Sequence, residues 1–324
     1  MVSRRRVPAR RILRLAFLVA AVGGCLATLV AEREQVAGAL GRLEPPSILL
    51  AAGLVVPATV LTMLSWRALV ADLGSGLPLP AAARIFFLAQ LGKYLPGSVW
   101  PMVAQVDLGR DYRVPAARSA TAAVVSLGVA VTVGLAVAAM TLPVSTPATF
   151  RLYWWAFATI PIFVAMLHPR VINPLLAWLF RLARRGVPEQ RLTTGGVARS
   201  AAWMGLAWLC YGLQVAILVR DLGGTGPAAA VGAIGAFALA WVVGFLLVLA
   251  PAGAGVREAV LVLALSPVLP AAGALLVALV SRLLMTAADL TLAGMAVGMA
   301  RHARSHTDTS GRAVAGRAAD TLPR

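Results

Sequence analysis

Seven stretches of this chain stay apolar for about the length that crosses a bilayer, and that repetition limits the possible folds more than any motif does. They are residues 12–31, 48–70, 117–142, 153–167, 201–218, 228–250 and 271–300. A membrane helix needs about 20 mainly apolar residues. The stretch 153–167 is shorter, but it opens on Tyr153, Trp154 and Trp155, amphipathic rings that suit the headgroup boundary. Composition agrees: 60% of the residues are hydrophobic and 13% are charged, whereas a soluble domain covers itself with roughly 25% charged residues. Lipid is therefore the solvent for most of this surface. The expected fold is an all-α integral membrane protein.

The net charge of +17 raises nucleic-acid binding as a possibility, and its distribution argues against that. Basic residues gather in short clusters between apolar runs, without interleaved aromatics for base stacking. Cytoplasmic loops retain Lys and Arg in this way during insertion. Arg4, Arg5, Arg6, Arg10, Arg11 and Arg14 precede or open the first run. Arg170, Arg181, Arg184, Arg185, Arg191 and Arg199 lie between the fourth and fifth, and five more arginines lie beyond residue 300. The opposite loops hold Arg33, Arg42, Arg151 and Arg220, partly offset by Glu32, Glu34, Glu44 and Asp221. Both termini are thus expected in the cytoplasm and the domain in the plasma membrane, with no nucleic-acid partner. An even number of crossings follows. Eight are reached if residues 257–269 cross as a short helix. The first run is longer than the core of a signal peptide and is expected to stay as an anchor. Three regions result: a basic cytoplasmic N-terminus (1–11), a multi-pass membrane domain (12–300) and a basic, disordered cytoplasmic tail (301–324).

Two segments are apolar enough to enter the membrane but too interrupted to be simple spans. Residues 84–107 carry Gln90, Lys93, Pro96, Gly97, Pro101 and Gln105. Residues 251–269 open with Pro251-Ala252-Gly253-Ala254-Gly255, continue through Val256-Arg257-Glu258 and then turn apolar. Proline removes a hydrogen-bond donor and glycine loosens a helix. Broken backbone at membrane depth is tolerated only where protein or water shelters it, so two re-entrant or discontinuous helices facing a cavity are expected. Surface loops are the alternative. Residues 171–185 differ again: Ile172, Leu175, Leu176, Leu179 and Phe180 lead to Arg181, Arg184 and Arg185, a spacing that suits an amphipathic helix on the inner leaflet.

Charges inside apolar segments are the best functional pointers, since each costs at least ~2.5 kcal/mol at mid-membrane unless paired or wetted. Lys93, Arg257, Glu258, Arg282 and Asp289 qualify, and Arg110 lies just beyond the first break at the inner interface. Lys93 and Tyr94 beside a break offer a cation and a hydroxyl to an anionic headgroup; the competing reading has Lys93 snorkelling to the interface. Glu258 near a helix start compensates the dipole, but Arg257 there is unfavourable to it. Arg257 therefore has another reason to be present: an acidic partner, or a phosphate, which suits its fork. Arg282 and Asp289, seven apart, share a helix face and look to other helices, as a structural ion pair or as part of a site.

No catalytic constellation emerges. Ser126 and Ser281 lack a neighbouring His and acid, and no P-loop or dinucleotide fingerprint appears. Cys25 and Cys210 fall inside apolar runs as packing residues, and His302 and His306 lack ligand partners. Neither an enzyme nor a metal or other cofactor is expected.

Two motifs taken together, Gly92-Lys93-Tyr94-Leu95-Pro96-Gly97-Ser98-Val99-Trp100 and Pro251 through Glu258, resemble the transmembrane, flippase-like region of the lysylphosphatidylglycerol synthase family. Tyr94, Pro96, Gly97, Gly255, Arg257 and Glu258 match the family pattern, while Ala252 and Ala254 stand where further glycines are common. The resemblance implies handling of an anionic phospholipid or a polyprenyl-phosphate carrier, with movement between leaflets as the favoured activity. Lysyl transfer is not implied, since the soluble aminoacyl-transfer domain of the full-length synthases has no counterpart here. The candidate substrate-binding residues are Lys93, Tyr94, Pro96, Gly97, Arg110, Gly255, Arg257, Glu258 and Arg282. A second expectation is a non-transporting subunit that docks a glycosyltransferase or lipid-modifying enzyme through its basic inner face.

Overall fold

A computed structural model describes residues 33–94, 99–182, 190–246 and 255–319. Every regular element among them is helical. Hydrocarbon offers the backbone no hydrogen-bond partner, so each span must satisfy its own N–H and C=O groups, as a helix does.

In chain order, α1 (Arg33–Leu40) leads into α2 (Pro45–Asp72), followed by α3 (Leu79–Gln90), a 3₁₀ turn (Leu91–Tyr94) and α4 (Trp100–Arg110). Then come α5 (Ala116–Thr141), α6 (Pro147–Tyr153), a second 3₁₀ stretch (Trp154–Thr159), α7 (Ile160–Met166) and α8 (Pro169–Leu182). The last four are α9 (Thr194–Asp221), α10 (Pro227–Leu246), α11 (Val256–Leu265) and α12 (Ala271–Ala319). Proline opens α2, α6, α8 and α10, at the one helical position where its missing N–H costs nothing.

Six segments among the described residues are long and apolar enough to cross: Pro45–Asp72, Ala116–Ser145, Pro147–Met166, Thr194–Asp221, Pro227–Leu246 and Ala271–Gly298. They coincide with six of the seven apolar runs, and the chain is a multi-pass membrane protein. The expected first span, residues 12–31, lies outside the described residues. The fourth segment departs from the expected single helix over 153–167: it starts earlier, at Pro147, and its middle is the 3₁₀ stretch carrying Trp154 and Trp155. None of its helical residues is buried. The expected eighth crossing holds α11, whose 10 residues span only about 15 Å, half the hydrocarbon thickness.

The core forms around α2 and α9, which run antiparallel and are joined at both ends. Asp72, closing α2, accepts the Thr193 N–H at 2.8 Å and its hydroxyl at 2.7 Å, at the start of α9. At the other end the Glu44 N–H donates to Asp221 at 3.2 Å. Between them Ser65 and Ser200 share a hydrogen bond of 2.8 Å, and Thr59 meets Tyr211 at 3.1 Å. Such bonds join helices where lipid competes for apolar contact. Against this pair packs α12, which also touches α3, the first 3₁₀ turn and α11. Its helical backbone continues to Ala319, into the stretch expected to be a disordered tail. Alanine and arginine there are strong helix formers, and no proline intervenes before Pro323.

Around α8 the amphipathic expectation meets a matching helix. Leu176 is buried, while Val171, Leu175, Trp178, Leu179 and Leu182 are exposed. Asn173 ties α8 to the chain before α9 by accepting the Leu192 N–H at 3.1 Å and donating to its carbonyl at 3.0 Å. Arg184 and Arg185 lie outside the described residues.

Candidate functional site

The first break is built from two half-length helices. α3 and α4 have 12 and 11 residues, about half a membrane thickness each, and they pack against one another. The 3₁₀ turn between them brings the chain back so tightly that a Cβ on Gly92 would lie 3.0 Å from the Pro101 nitrogen. Pro96 and Gly97 lie outside the described residues. The turn presents Lys93 and Tyr94 to α12, where one carboxylate oxygen takes both. Lys93 Nζ is 2.6 Å from Asp289 Oδ2, and the Tyr94 hydroxyl donates to that same oxygen at 2.6 Å. The Asp289 side chain is only 2% exposed and that of Lys93 27%.

The second break ends at Gly255, whose φ of 82° is a conformation an L side chain rarely adopts. Three residues on, Glu258 reaches back to accept the Gly255 N–H at 2.6 Å, the acidic half of a capping box. Its other oxygen pairs with Arg282 of α12. Arg257 behaves differently. Its guanidinium sits 4.7 Å from the centroid of the Phe237 ring, and one nitrogen donates to the Met285 sulfur at 2.9 Å. Among the described residues no carboxylate lies within ion-pairing distance of it. Phe237 stacks on Tyr211 with centroids 5.6 Å apart and continues through Trp208 to Trp241, so an aromatic wall backs the cation.

Both breaks therefore dock on a single face of α12. Arg282, Met285 and Asp289 follow at spacings of three and four, which places them on one side of a helix. Arg282 and Asp289 are about 10 Å apart along the axis. Met285 falls at the midpoint of the Ala271–Gly298 segment, so the Arg257 contact lies near mid-membrane. Behind this face, the buried Ser281 hydroxyl donates to Gln214 of α9 at 3.0 Å, holding α12 in register.

The structure thus brings Lys93, Tyr94, Gly255, Arg257, Glu258 and Arg282 to the α12 face. Arg110 stands apart, exposed at the end of α4, 3.8 Å from Asp107 one turn earlier. Asp289 reads from the sequence as a membrane charge with no assigned partner, and it turns out to anchor the first break. Sequence reasoning passes over Phe237, Tyr211 and Met285 because aromatics and methionine in apolar spans look like packing. The one available signal is that Met285 shares the face of Arg282 and Asp289. Among the described residues no group of three His, Cys, Asp or Glu side chains gathers as a metal site.

The arrangement places two cations, Lys93 and Arg257, against the same face of α12. A family model described as the lysylphosphatidylglycerol synthase TM region matches residues 11–293 of the chain. No curated protein matches it.

Proposed function

Because the chain belongs to the lysylphosphatidylglycerol synthase transmembrane family, we propose that it is a translocase moving an anionic phospholipid or polyprenyl-phosphate-linked lipid between leaflets. The observation that carries this reading is Arg257. An arginine near mid-membrane is expensive unless its charge is met, yet an aromatic ring and a thioether sulfur hold this one rather than a carboxylate. A guanidinium has five N–H donors, and a sulfur is a weak acceptor, so among the described residues most of its hydrogen-bonding capacity is unused and suits a ligand. Phosphate matches that fork. Lys93 stands on the same face with a carboxylate partner, Asp289, that a headgroup would displace, while Arg282 stays paired with Glu258. The layout of two broken helices with cations, converging on one span, is also the general form of transporter sites.

The test is leaflet exchange of fluorescent phosphatidylglycerol and of a labelled polyprenyl phosphate in proteoliposomes, with phosphatidylcholine as the neutral comparison. Arg257→Ala should slow exchange of the anionic probes at least about tenfold, the factor set by one lost interaction of 1.4 kcal/mol. No acceleration over protein-free vesicles, for any probe, overturns the proposal. On this reading the protein does no chemistry on the lipid and needs no cofactor. Its termini face the cytoplasm of a plasma-membrane protein, which protease protection of tagged ends in sealed vesicles would test.

A second reading is favoured by α8, which leaves Leu175, Trp178, Leu179 and Leu182 exposed beside Arg170 and Arg181. There the chain is a non-transporting subunit that docks a glycosyltransferase or lipid-modifying enzyme. Removing the residues after Arg301 then abolishes co-purification with that enzyme, while Arg257→Ala and Lys93→Ala leave its activity intact.

A further inference from the structure

Asp289 and Glu258 are the two buried carboxylates of the site, and only one is tied to its own backbone. Glu258 accepts the Gly255 N–H and pairs with Arg282, so its charge is held whatever occupies the site. Among the described residues Asp289 takes its bonds from Lys93 and Tyr94 alone, both on the first break and both to one oxygen. An anionic headgroup that takes Lys93 as its counter-ion takes the charge that now balances Asp289. A charge this buried is costly to leave without a partner.

Among the described residues the neighbouring groups offer no replacement. Arg282, two turns back on α12, is bound to Glu258, and Arg257 on α11 to Phe237 and Met285. Tyr211 on α9 is within electrostatic reach of Asp289, but its hydroxyl is engaged by Thr59 of α2. Arg84 on α3 is turned to Tyr112 and Asp111, Arg67 on α2 donates to the Leu77 carbonyl, and Glu34 on α1 is exposed.

Resting on the translocase reading, we propose that Asp289 makes transport proton-linked: one proton crosses with each negative headgroup charge. When Lys93 turns from Asp289 to the headgroup, Asp289 takes a proton from the water on that side, forming a neutral carboxylic acid. When the headgroup leaves on the other side, the proton returns to water there and the Lys93–Asp289 pair re-forms. Lipid anion and proton travel together, so the net charge moved is zero and an imposed pH difference drives the lipid toward the alkaline side.

The experiment uses the full chain in proteoliposomes with fluorescent phosphatidylglycerol, a trapped pH dye and a one-unit pH difference. The probe should shift toward a ratio of about ten favouring the leaflet on the alkaline side, the free-energy equivalent of one pH unit per proton. The dye should report one proton moved per lipid. In Asp289→Asn the ratio of exchange rates with and without the gradient should fall to one, and in Asp111→Asn it should stay as in the unaltered chain. Asp289→Glu, which keeps a titrating carboxyl, should restore part of the response. The gradient and dye measurements on the unaltered chain decide the matter even if Asp289→Asn fails to fold. Exchange that proceeds to the same distribution with and without the gradient overturns proton linkage and leaves the translocase standing; no exchange under either condition overturns both.

Discussion

The two breaks carry similar charges but hold them in different ways. At the second break the carboxylate of Glu258 closes on its own turn, through the Gly255 N–H, before it reaches Arg282 on α12. Its bonds are therefore needed to shape the backbone. At the first break Lys93 and Tyr94 reach α12 by side chain alone, and they share one oxygen of Asp289. Those bonds can part without unwinding a helix. The difference separates a fixed cap from a clasp able to open, although both sit on one face of one span.

Replacing Glu258 by Ala is the strongest way to break that comparison. It leaves Arg282 without its partner and Gly255 without its acceptor. Removing one member of a buried pair costs about 3–5 kcal/mol, here reduced somewhat because the Arg282 side chain is 30% exposed. The expected outcome is a large fall in the thermal midpoint measured by size-exclusion chromatography of the heated, detergent-purified protein. Glu258→Gln, which keeps an oxygen for the Gly255 N–H, should recover part of that loss. Equal losses in the two variants would mean that the cap contributes nothing.

Gly255→Ala comes next. A side chain forced to the φ of 82° costs about 1–3 kcal/mol, so the same assay should show a clear but smaller loss. The clasp should cost less again. A double-mutant cycle with Lys93→Met and Asp289→Leu should give a coupling energy of about 1 kcal/mol, toward the lower part of the range for contacting residues, because Lys93 is partly exposed. If the cycle at the clasp exceeds the Glu258→Ala loss, the assignment of cap and clasp is reversed.

How much of this was legible beforehand follows from what each feature depends on. The spans were readable because hydrophobic length is a local property, and six of them fall where the apolar runs do. Where the helices stop short was readable for the same reason, while Pro96, Gly97 and Pro251 through Ala254 themselves lie outside the described residues. Lys93, Arg257 and Glu258 stand out as charges in apolar surroundings. Their partners did not, because pairing depends on which helices meet: Tyr94 and Asp289 are 195 positions apart. Phe237 and Met285 carry no charge to mark them, and only the crossing of α10, α11 and α12 turns them into the bed of Arg257. Arg110 shows the opposite limit. Its position just beyond the break looked promising, but α4 carries it away from the α12 face.

That separation gives the smallest expected effect. Arg110 is exposed and 3.8 Å from an equally exposed Asp107, a kind of pair worth about 0.5 kcal/mol or less, so Arg110→Ala should leave the thermal midpoint unchanged. Its effect on exchange should be indirect. A basic residue near an anionic membrane surface attracts lipid headgroups by about 1 kcal/mol, which corresponds to roughly a fivefold change in rate at low salt. Salt screens exposed charges over about 10 Å at 0.1 M ionic strength, so the deficit of Arg110→Ala should vanish when ionic strength is raised. The deficit of Arg257→Ala should persist, because its guanidinium lies near mid-membrane, out of reach of bulk ions. Measuring both variants across a salt series tests the placement directly. A salt-insensitive loss at Arg110 would move it into the site, and a salt-sensitive loss at Arg257 would take it out.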